Sequence, residues 1–175
     1  MLAFLPNLLG HSDKAIGTLM HIGAGVGTEL ATYESLCIKT IIAIESDNTL
    51  FKKLQTKAKR YQNVVAIHGW VADTGEERIA YKVSNPRFNS LLEPRELFSN
   101  FTNLKTVSSN SIKPIDISEL VRKHISAQSN HQNILVLDVQ SFESKLLKGS
   151  SKSNKSGSLT KALAKQARCC SPPDN

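Results

Sequence analysis

The sequence predicts an α/β protein with a doubly wound, mostly parallel sheet, and three features carry that prediction. Apolar runs at residues 16–20, 38–44 and 133–139 are continuous, as in strands that are buried on both faces of a sheet. A glycine-rich turn at residues 23–27 follows the first run, and apolar residues at helical spacing follow the turn. Strands that alternate with helices in this way build a parallel sheet with helices packed against it.

The first half of the chain is predicted to hold three strands separated by two helices. Leu30, Tyr33 and Leu36 share one face of the helix that follows the glycine turn. Asp47 is placed to accept a free backbone N–H at the start of the second helix. That helix is amphipathic, with apolar side chains on one face and lysines on the other. The third strand is predicted at residues 64–68.

In the second half, residues 78–83 alternate in the manner of a β-strand. Residues 84–103 have the composition of a loop, and a helix is predicted from about Asp116 to His124. The run at residues 133–139 is apolar on both sides, so we place it in the middle of the sheet.

The composition is that of one globular domain, with 40% hydrophobic and 21% charged residues. We assign residues 1–150 to this domain and residues 151–175 to a basic, Ser/Lys-rich tail that is disordered or forms one short helix. The tail has five positive residues and one negative residue, so it holds +4 of the net charge of +7. Because the rest of the chain lacks a basic stripe with interleaved aromatic residues, no nucleic-acid partner is expected.

The cellular setting is predicted to be the cytoplasm. No stretch approaches the roughly 18 apolar residues that a membrane span requires, and the apolar start of the chain lacks the basic leader of a signal peptide. The three cysteines lack metal-ligand spacing, so we expect reduced thiols and no metal site.

The glycine turn and a carboxylate on the next strand indicate a site for a nucleoside. Glu45 ends the second strand, 18 residues after Gly27. Glycines in such a turn let the backbone approach a ligand, and an acid at the end of the neighbouring strand accepts hydrogen bonds from ribose hydroxyls.

The glycine spacing favours one kind of nucleoside cofactor over another. A dinucleotide fingerprint reads G-x-G-x-x-G, and here Thr28 stands where its third glycine would be. Glu29 lies where the helix begins, and its charge opposes a pyrophosphate at that position. S-adenosylmethionine has no phosphate and carries a positive sulfonium, so we expect it as the cofactor.

Four motifs occur in the same order as in one known family. They are His21 to Gly25 with Tyr33 following, Ile44 to Ser46, Asn89 to Pro94, and Leu137 to Gly149. In these motifs, residues 17–150 resemble the FkbM-type S-adenosylmethionine-dependent methyltransferases. The resemblance implies a class I methyltransferase (Rossmann-like) fold. It also implies O-methylation of a hydroxyl on a small molecule, such as a sugar or natural product, or on a glycan.

The resemblance assigns the first two motifs to cofactor binding. Gly23, Gly25 and Gly27 would back the methionine part of the cofactor, and Glu45, with Ser46 beside it, would hold the ribose.

Further positions are assigned to the mouth of the site. Asp138 would lie near the cofactor amino group or the acceptor, as a cofactor-binding and catalytic residue. His68 is a candidate base, because an imidazole titrates near neutral pH, although a histidine at a strand end is more often only a polar terminus. Trp70 and Val71 would lie by the adenine, with a core role for Trp70 equally open. His21 is expected to orient the glycine turn by hydrogen bonding.

The chain departs from the family pattern in its last part. Ser141 stands where the family has glycine, and after residue 150 no strand pattern remains, with at most a basic helix over residues 159–168. The last strands of the sheet are therefore expected to be missing, which would leave the strand at residues 134–139 at an uncovered edge. Such an edge favours a homodimer or aggregation.

Three explanations of this ending stay open: a truncated or frame-shifted product, a dimer that pairs the edge, and an altered fold. Two rival functions also remain. One is a non-catalytic remnant of a methyltransferase. The other is a dinucleotide-binding oxidoreductase.

Overall fold

The protein is described by a computed structural model. It covers residues 15–85, 88–94, 103–125, 131–139 and 146, and the backbone of residues 159–163. Three helices are present in these ranges: α1 (Leu30–Ser35), α2 (Asn48–Ala58) and α3 (Ile117–His124). The strands are β1 (Ile16–Ile22), β2 (Thr40–Glu45), β3 (Val64–His68), β4 (Val71–Ala72), β5 (Arg78–Val83), β6 (Thr106–Ile112), β7 (Ile115–Asp116), β8 (Gln132–Leu137) and β9 (Leu159–Leu163).

The central sheet is parallel throughout and has the strand order β3-β2-β1-β8-β9. The chain builds outward from β1 to β3, and then returns to place β8 on the other side of β1. The strand order therefore reverses between β1 and β8, and at such a reversal α/β sheets bind ligands in the crevice beyond the carboxyl ends of the strands. The predicted α/β class and mostly parallel sheet are confirmed, and the strand order is compatible with a Rossmann-like fold.

Each face of the sheet is buried by its own apolar cluster, which explains why the strands read as continuous apolar runs. On one face, Leu30 and Tyr33 of α1 and Leu54 of α2 pack over the strands. On the other face, Ile117 and Leu120 of α3 do the same. The side chains that these helices bury share one helical face, so the amphipathic pattern of each helix matches its packing.

Two aspartates begin helices as N-caps. Asp47 accepts hydrogen bonds from the backbone N–H groups of Thr49 and Leu50, both at 2.9 Å. Asp116 accepts one from the N–H of Ser118 at 2.7 Å, at the start of α3. Each cap satisfies N–H groups that have no partner within the helix. The predicted cap at Asp47 and the predicted helix up to His124 are confirmed.

Two small sheets lie outside the central one. β4 pairs with β7 in parallel, and β5 pairs with β6 in an antiparallel ribbon. The predicted strand at residues 78–83 is β5, and its partner β6 comes from the segment after the loop. Among the described residues, no helix is long and apolar enough to cross a membrane.

The expectation for the end of the chain is wrong at residues 159–163. These residues form β9 and not a helix, and they pair with β8 from Asn133↔Leu159 to Leu137↔Leu163. A parallel ladder bonds backbone groups, and here it outweighs the moderate helical pattern of the segment. The edge of β8 is therefore covered within the chain, so the expected homodimer through that edge loses its structural basis. Ser141 lies outside the described residues.

Candidate functional site

The carboxyl ends of β1, β2 and β8 meet at the point where the strand order reverses. The glycine turn leaves β1 at Gly23, whose N–H donates to the carbonyl of Ile44 in β2 at 2.9 Å. On the other side, the N–H of Asp138 donates to the carbonyl of Ile22 at 2.9 Å. These bonds hold the turn, the end of β2 and the end of β8 in one place, as the predicted site requires.

The three glycines of the turn have different roles, although all three have positive φ angles of 84°, 56° and 72°. A Cβ atom on Gly23 would overlap the backbone carbonyl of Asp138, so this position needs glycine for close approach. A Cβ on Gly27 would lie 2.7 Å from Leu54 and 2.9 Å from Leu30, so this glycine allows close packing of α1 and α2. At Gly25 a Cβ would meet no atom of the described residues within 4 Å. Gly25 therefore faces open space, which leaves room for a ligand.

Glu45 ties the glycine turn to the end of β2. Its Oε2 accepts a hydrogen bond from the N–H of Gly25 at 2.8 Å. Its Oε1 accepts from the N–H of Asp47 at 2.8 Å and from the hydroxyl of Ser46 at 3.4 Å. The side chain is only 7% exposed. Since a carboxylate offers about four acceptor sites, Glu45 keeps capacity to accept a hydrogen bond from a ligand hydroxyl.

His21 forms a hydrogen bond with Tyr33 that spans the glycine turn. Its Nδ1 shares a hydrogen bond of 3.0 Å with the hydroxyl of Tyr33, and the two rings meet edge to face with centroids 5.9 Å apart. Burial lowers the pKa of His21 from 6.5 to about 4, so its ring is neutral at physiological pH. Because His21 lies on β1 and Tyr33 on α1, this bond joins the two elements that flank the turn. The position fits the orienting role expected of His21.

Tyr33 connects this pair electrostatically to Asp138. Burial raises the pKa of the Tyr33 hydroxyl above its usual value, and the nearby charges of Glu29 and Asp138 raise it further. Tyr33 therefore stays protonated and is a fixed hydrogen-bonding group. The half-buried Asp138 follows β8 directly, and its carboxylate contributes negative charge close to the turn.

His68 lies on the far side of the site. It is exposed at the end of β3, its Nε2 is 3.2 Å from the carbonyl oxygen of Ser46, and its ring stacks on Phe51 with centroids 4.9 Å apart. Three strand spacings separate β3 from β8, which amounts to about 14 Å. His68 and Asp138, the two predicted catalytic residues, are therefore not brought together at one reacting atom.

The two residues predicted beside the adenine have different environments. Val71 belongs to β4, is 6% exposed and packs in the cluster that includes Ile117. Its side chain is part of the core and offers little surface to a ligand. Trp70 is half-buried, and its carbonyl accepts a hydrogen bond from the N–H of Ile115 at 2.8 Å.

Two features of the site were missed by the sequence analysis. The first is the contact of Glu45 with the N–H of Asp47, which uses one carboxylate oxygen inside the protein. The second is the stack of Phe51, an apolar residue of α2, on His68. The spacing of Phe51 four residues after Asp47 was the available signal, since it places the ring one helical turn from the cap. No group of three potential metal ligands occurs among the residues with described positions.

The chain matches no protein-family model, no curated protein and no solved structure. The function therefore has to be inferred from the sequence motifs and from the geometry of this crevice.

Proposed function

We propose that the chain is an S-adenosylmethionine-dependent methyltransferase that methylates a hydroxyl on a sugar, a glycan or a related natural product. The observation that carries the proposal is the bond from Glu45 to the N–H of Gly25. It places a buried carboxylate with remaining acceptor capacity directly beside a glycine that faces open space. Both lie at the reversal of strand order, where α/β sheets bind their ligands.

The charges around the turn favour a cofactor that lacks phosphate groups. Glu45 lies beneath the turn, Glu29 stands at the start of α1, and Asp138 lies across from them at the end of β8. A pyrophosphate placed here would face three carboxylates, whereas a sulfonium and an ammonium group would be attracted by them. These three carboxylates are therefore suited to the positive end of S-adenosylmethionine.

Individual residues would then hold the cofactor and the acceptor. When bound, S-adenosylmethionine supplies a methyl group on a sulfonium that is activated for displacement. Glu45 accepts hydrogen bonds from the ribose hydroxyls, and the open face of Gly25 admits the amino-acid part. Phe51 and His68 line the side on which the base would lie. The acceptor hydroxyl is held in line with the methyl group, which lowers the entropic part of the barrier.

For the acceptor proton, the geometry favours Asp138 over His68. Asp138 lies at the crevice, whereas His68 is about 14 Å away across three strand spacings. In this proposal the Asp138 carboxylate takes up the proton as the new bond forms, and His68 contributes to the base side of the cofactor site.

The alternative is a dinucleotide-binding oxidoreductase. Gly27 packs against the side-chain ends of Leu30 and Leu54, whereas the third glycine of a dinucleotide fingerprint brings a helix close to a strand. Thr28 at that third position therefore continues to disfavour a dinucleotide. The non-catalytic remnant loses part of its support, because β9 covers the strand edge that was expected to be open.

Calorimetric titration of S-adenosylhomocysteine and of NAD into the full chain distinguishes these functions. We expect saturable binding of S-adenosylhomocysteine and none of NAD. Glu45→Gln should weaken the binding of S-adenosylhomocysteine roughly tenfold, because a charged hydrogen bond to the ribose is lost. The matched control is Glu34→Gln, which removes the same charge from the exposed face of α1. Tighter binding of NAD, or equal affinities of the two variants, would refute the proposal.

A further inference from the structure

A groove with a positively charged wall begins at the glycine turn. It is an open surface depression of about 520 Å³, lined by Val26 of the turn and, along α2 and just beyond its end, by Lys52, Lys53, Thr56, Lys57 and Arg60. We refer to it as the basic groove. It is separate from the contacts of Glu45 and Asp138, but Val26 connects it to the turn that forms the crevice.

Among the described residues, no acidic side chain forms an ion pair with the cations of the basic groove. Residues 48–60 contain no Asp or Glu, and Asp47 is engaged in capping α2. Within the described parts of the chain, the ion pair found joins Arg78 to Asp73, away from this groove. Positive charges that are concentrated on one surface without internal partners create a field that attracts an anionic ligand.

The cations also form a row. Lys53, Lys57 and Arg60 follow one another at spacings of four and three residues, so they lie on one side of the helical path. The row extends for about 10 Å. A linear ligand with several negative charges can therefore contact successive cations along the groove.

The lining also separates classes of linear polyanion. Single-stranded nucleic acids are held by aromatic side chains on which their bases stack, and the residues that line the groove include no aromatic ring. A saccharide chain with carboxylate or sulfate groups needs cations and no base platform. Clusters of Lys and Arg are typical of patches that bind nucleic acid or heparin, and a lining without aromatic rings favours the saccharide of these two.

We infer that the basic groove binds an acidic glycan chain, which makes the methyl acceptor of this protein an anionic saccharide and not a neutral one. A chain seated on Lys53, Lys57 and Arg60 would lead past Val26 to the glycine turn. This inference deepens the proposed function, and it rests on that function because only a methyltransferase would use the bound saccharide as a methyl acceptor. The binding itself requires no cofactor.

The test measures fluorescence anisotropy of a labelled, short heparin-derived oligosaccharide with the full chain. A neutral oligosaccharide of the same length and an oligothymidylate of the same charge serve as comparison ligands. The groove variant carries Lys53→Gln, Lys57→Gln and Arg60→Gln. The control variant carries Lys105→Gln, Lys113→Gln and Lys123→Gln, which are exposed positions elsewhere. Both variants lose three positive charges, so they differ only in where the charge is removed.

We expect the acidic oligosaccharide to bind, with an affinity that falls as salt is added. The groove variant should lose roughly tenfold or more in affinity, because it lacks the cations that the ligand contacts. The control variant should lose less than about threefold, because salt screens charges that lie away from the ligand. Circular dichroism should show both variants folded, since glutamine is a good helix former. Equal losses in the two variants, equal binding of the neutral chain, or tighter binding of the oligothymidylate would overturn the inference.

The outcome is independent of the cofactor test. If S-adenosylhomocysteine binds and the acidic oligosaccharide does not, the inference fails and the proposed function stands. If the oligosaccharide binds the groove and S-adenosylhomocysteine does not bind, the groove is a glycan site but the acceptor role fails.

Discussion

Glu45 ends β2 and Asp138 follows β8, the two strands that flank β1, yet the protein holds them in different ways. Glu45 is a buried residue, 7% exposed, and its carboxylate accepts hydrogen bonds from the N–H groups of Gly25 and Asp47. Asp138 is half-buried, and its backbone makes the close contact, against Gly23. The β2 side of the crevice is therefore fixed through a side chain, and the β8 side is fixed through the backbone.

This difference suits Glu45 and Asp138 to different roles. A carboxylate that is clamped by backbone N–H groups is positioned in advance, which favours recognition of a ligand such as a ribose. A carboxylate on a half-buried residue whose backbone is fixed is suited to act on a reacting group beside it and exchange a proton. The comparison predicts that a substitution that disrupts the contact of Gly23 with the Asp138 backbone destabilises the fold most. A substitution of the Asp138 side chain should destabilise it least.

Gly23→Ala is expected to have the largest effect. The new Cβ overlaps the Asp138 carbonyl, and φ is +84°, so the left-handed conformation and a forced backbone shift should together cost more than about 3 kcal/mol. Gly25→Ala is the matched control, because its Cβ meets no atom within 4 Å. Only the left-handed conformation, about 1–2 kcal/mol, should be lost there. Urea denaturation measures both. Equal losses would mean that Gly23 makes no tight contact with the β8 side.

The second prediction concerns the buried pair that supports the turn. The pKa of His21 is about 4 in the folded protein and 6.5 in the unfolded chain. The unfolded chain therefore binds more protons between these values, and stability falls as the pH falls through this window. Between pH 7 and pH 5 the loss should be about 2 kcal/mol from this group.

Urea unfolding at several pH values tests this, with His21→Gln as the reference variant. Glutamine keeps a hydrogen-bonding group near Tyr33 and does not titrate, so the difference between the two proteins isolates His21. The difference in free energy of unfolding between the wild-type protein and His21→Gln should narrow by about 2 kcal/mol as the pH falls from 7 to 5. A gap that does not change with pH would show that His21 is not buried as a neutral ring.

Much of the β2 side of the crevice was predictable from the sequence, because its signals are local. Gly23, Gly25 and Gly27 mark a turn by themselves, and Glu45 follows an apolar run that reads as a buried strand. The cap at Asp47 is also a short-range signal. The three roles of the glycines were not predictable, since they depend on Leu54 and on the Asp138 carbonyl, which come from distant parts of the chain.

The β8 side was harder, for physical reasons. β9 is a short segment with a moderately helical pattern, and its strand conformation arises from pairing with β8, which sequence periodicity does not report. The separation of His68 from Asp138 follows from strand order, which is a long-range property. Val71 was assigned to the adenine because it follows the third strand, but it belongs to the small sheet with β7 and packs in the core.

The smallest effect is expected for Asp138→Asn, compared with Glu45→Gln. At Glu45, an amide that replaces the carboxylate directs N–H donors at a backbone N–H donor, so a buried hydrogen bond is lost and the cost should be about 1–3 kcal/mol. Asp138 is a half-buried residue, so the same change should cost less than about 1 kcal/mol. The tight contact with Gly23 involves only the backbone carbonyl, which the substitution keeps.

Urea midpoints of the two variants, measured at pH 7 with equal slopes, compare the two losses of stability. If Asp138→Asn costs as much as Glu45→Gln, the β8 side is clamped through its side chain as well, and Asp138 is a structural anchor and not an available base.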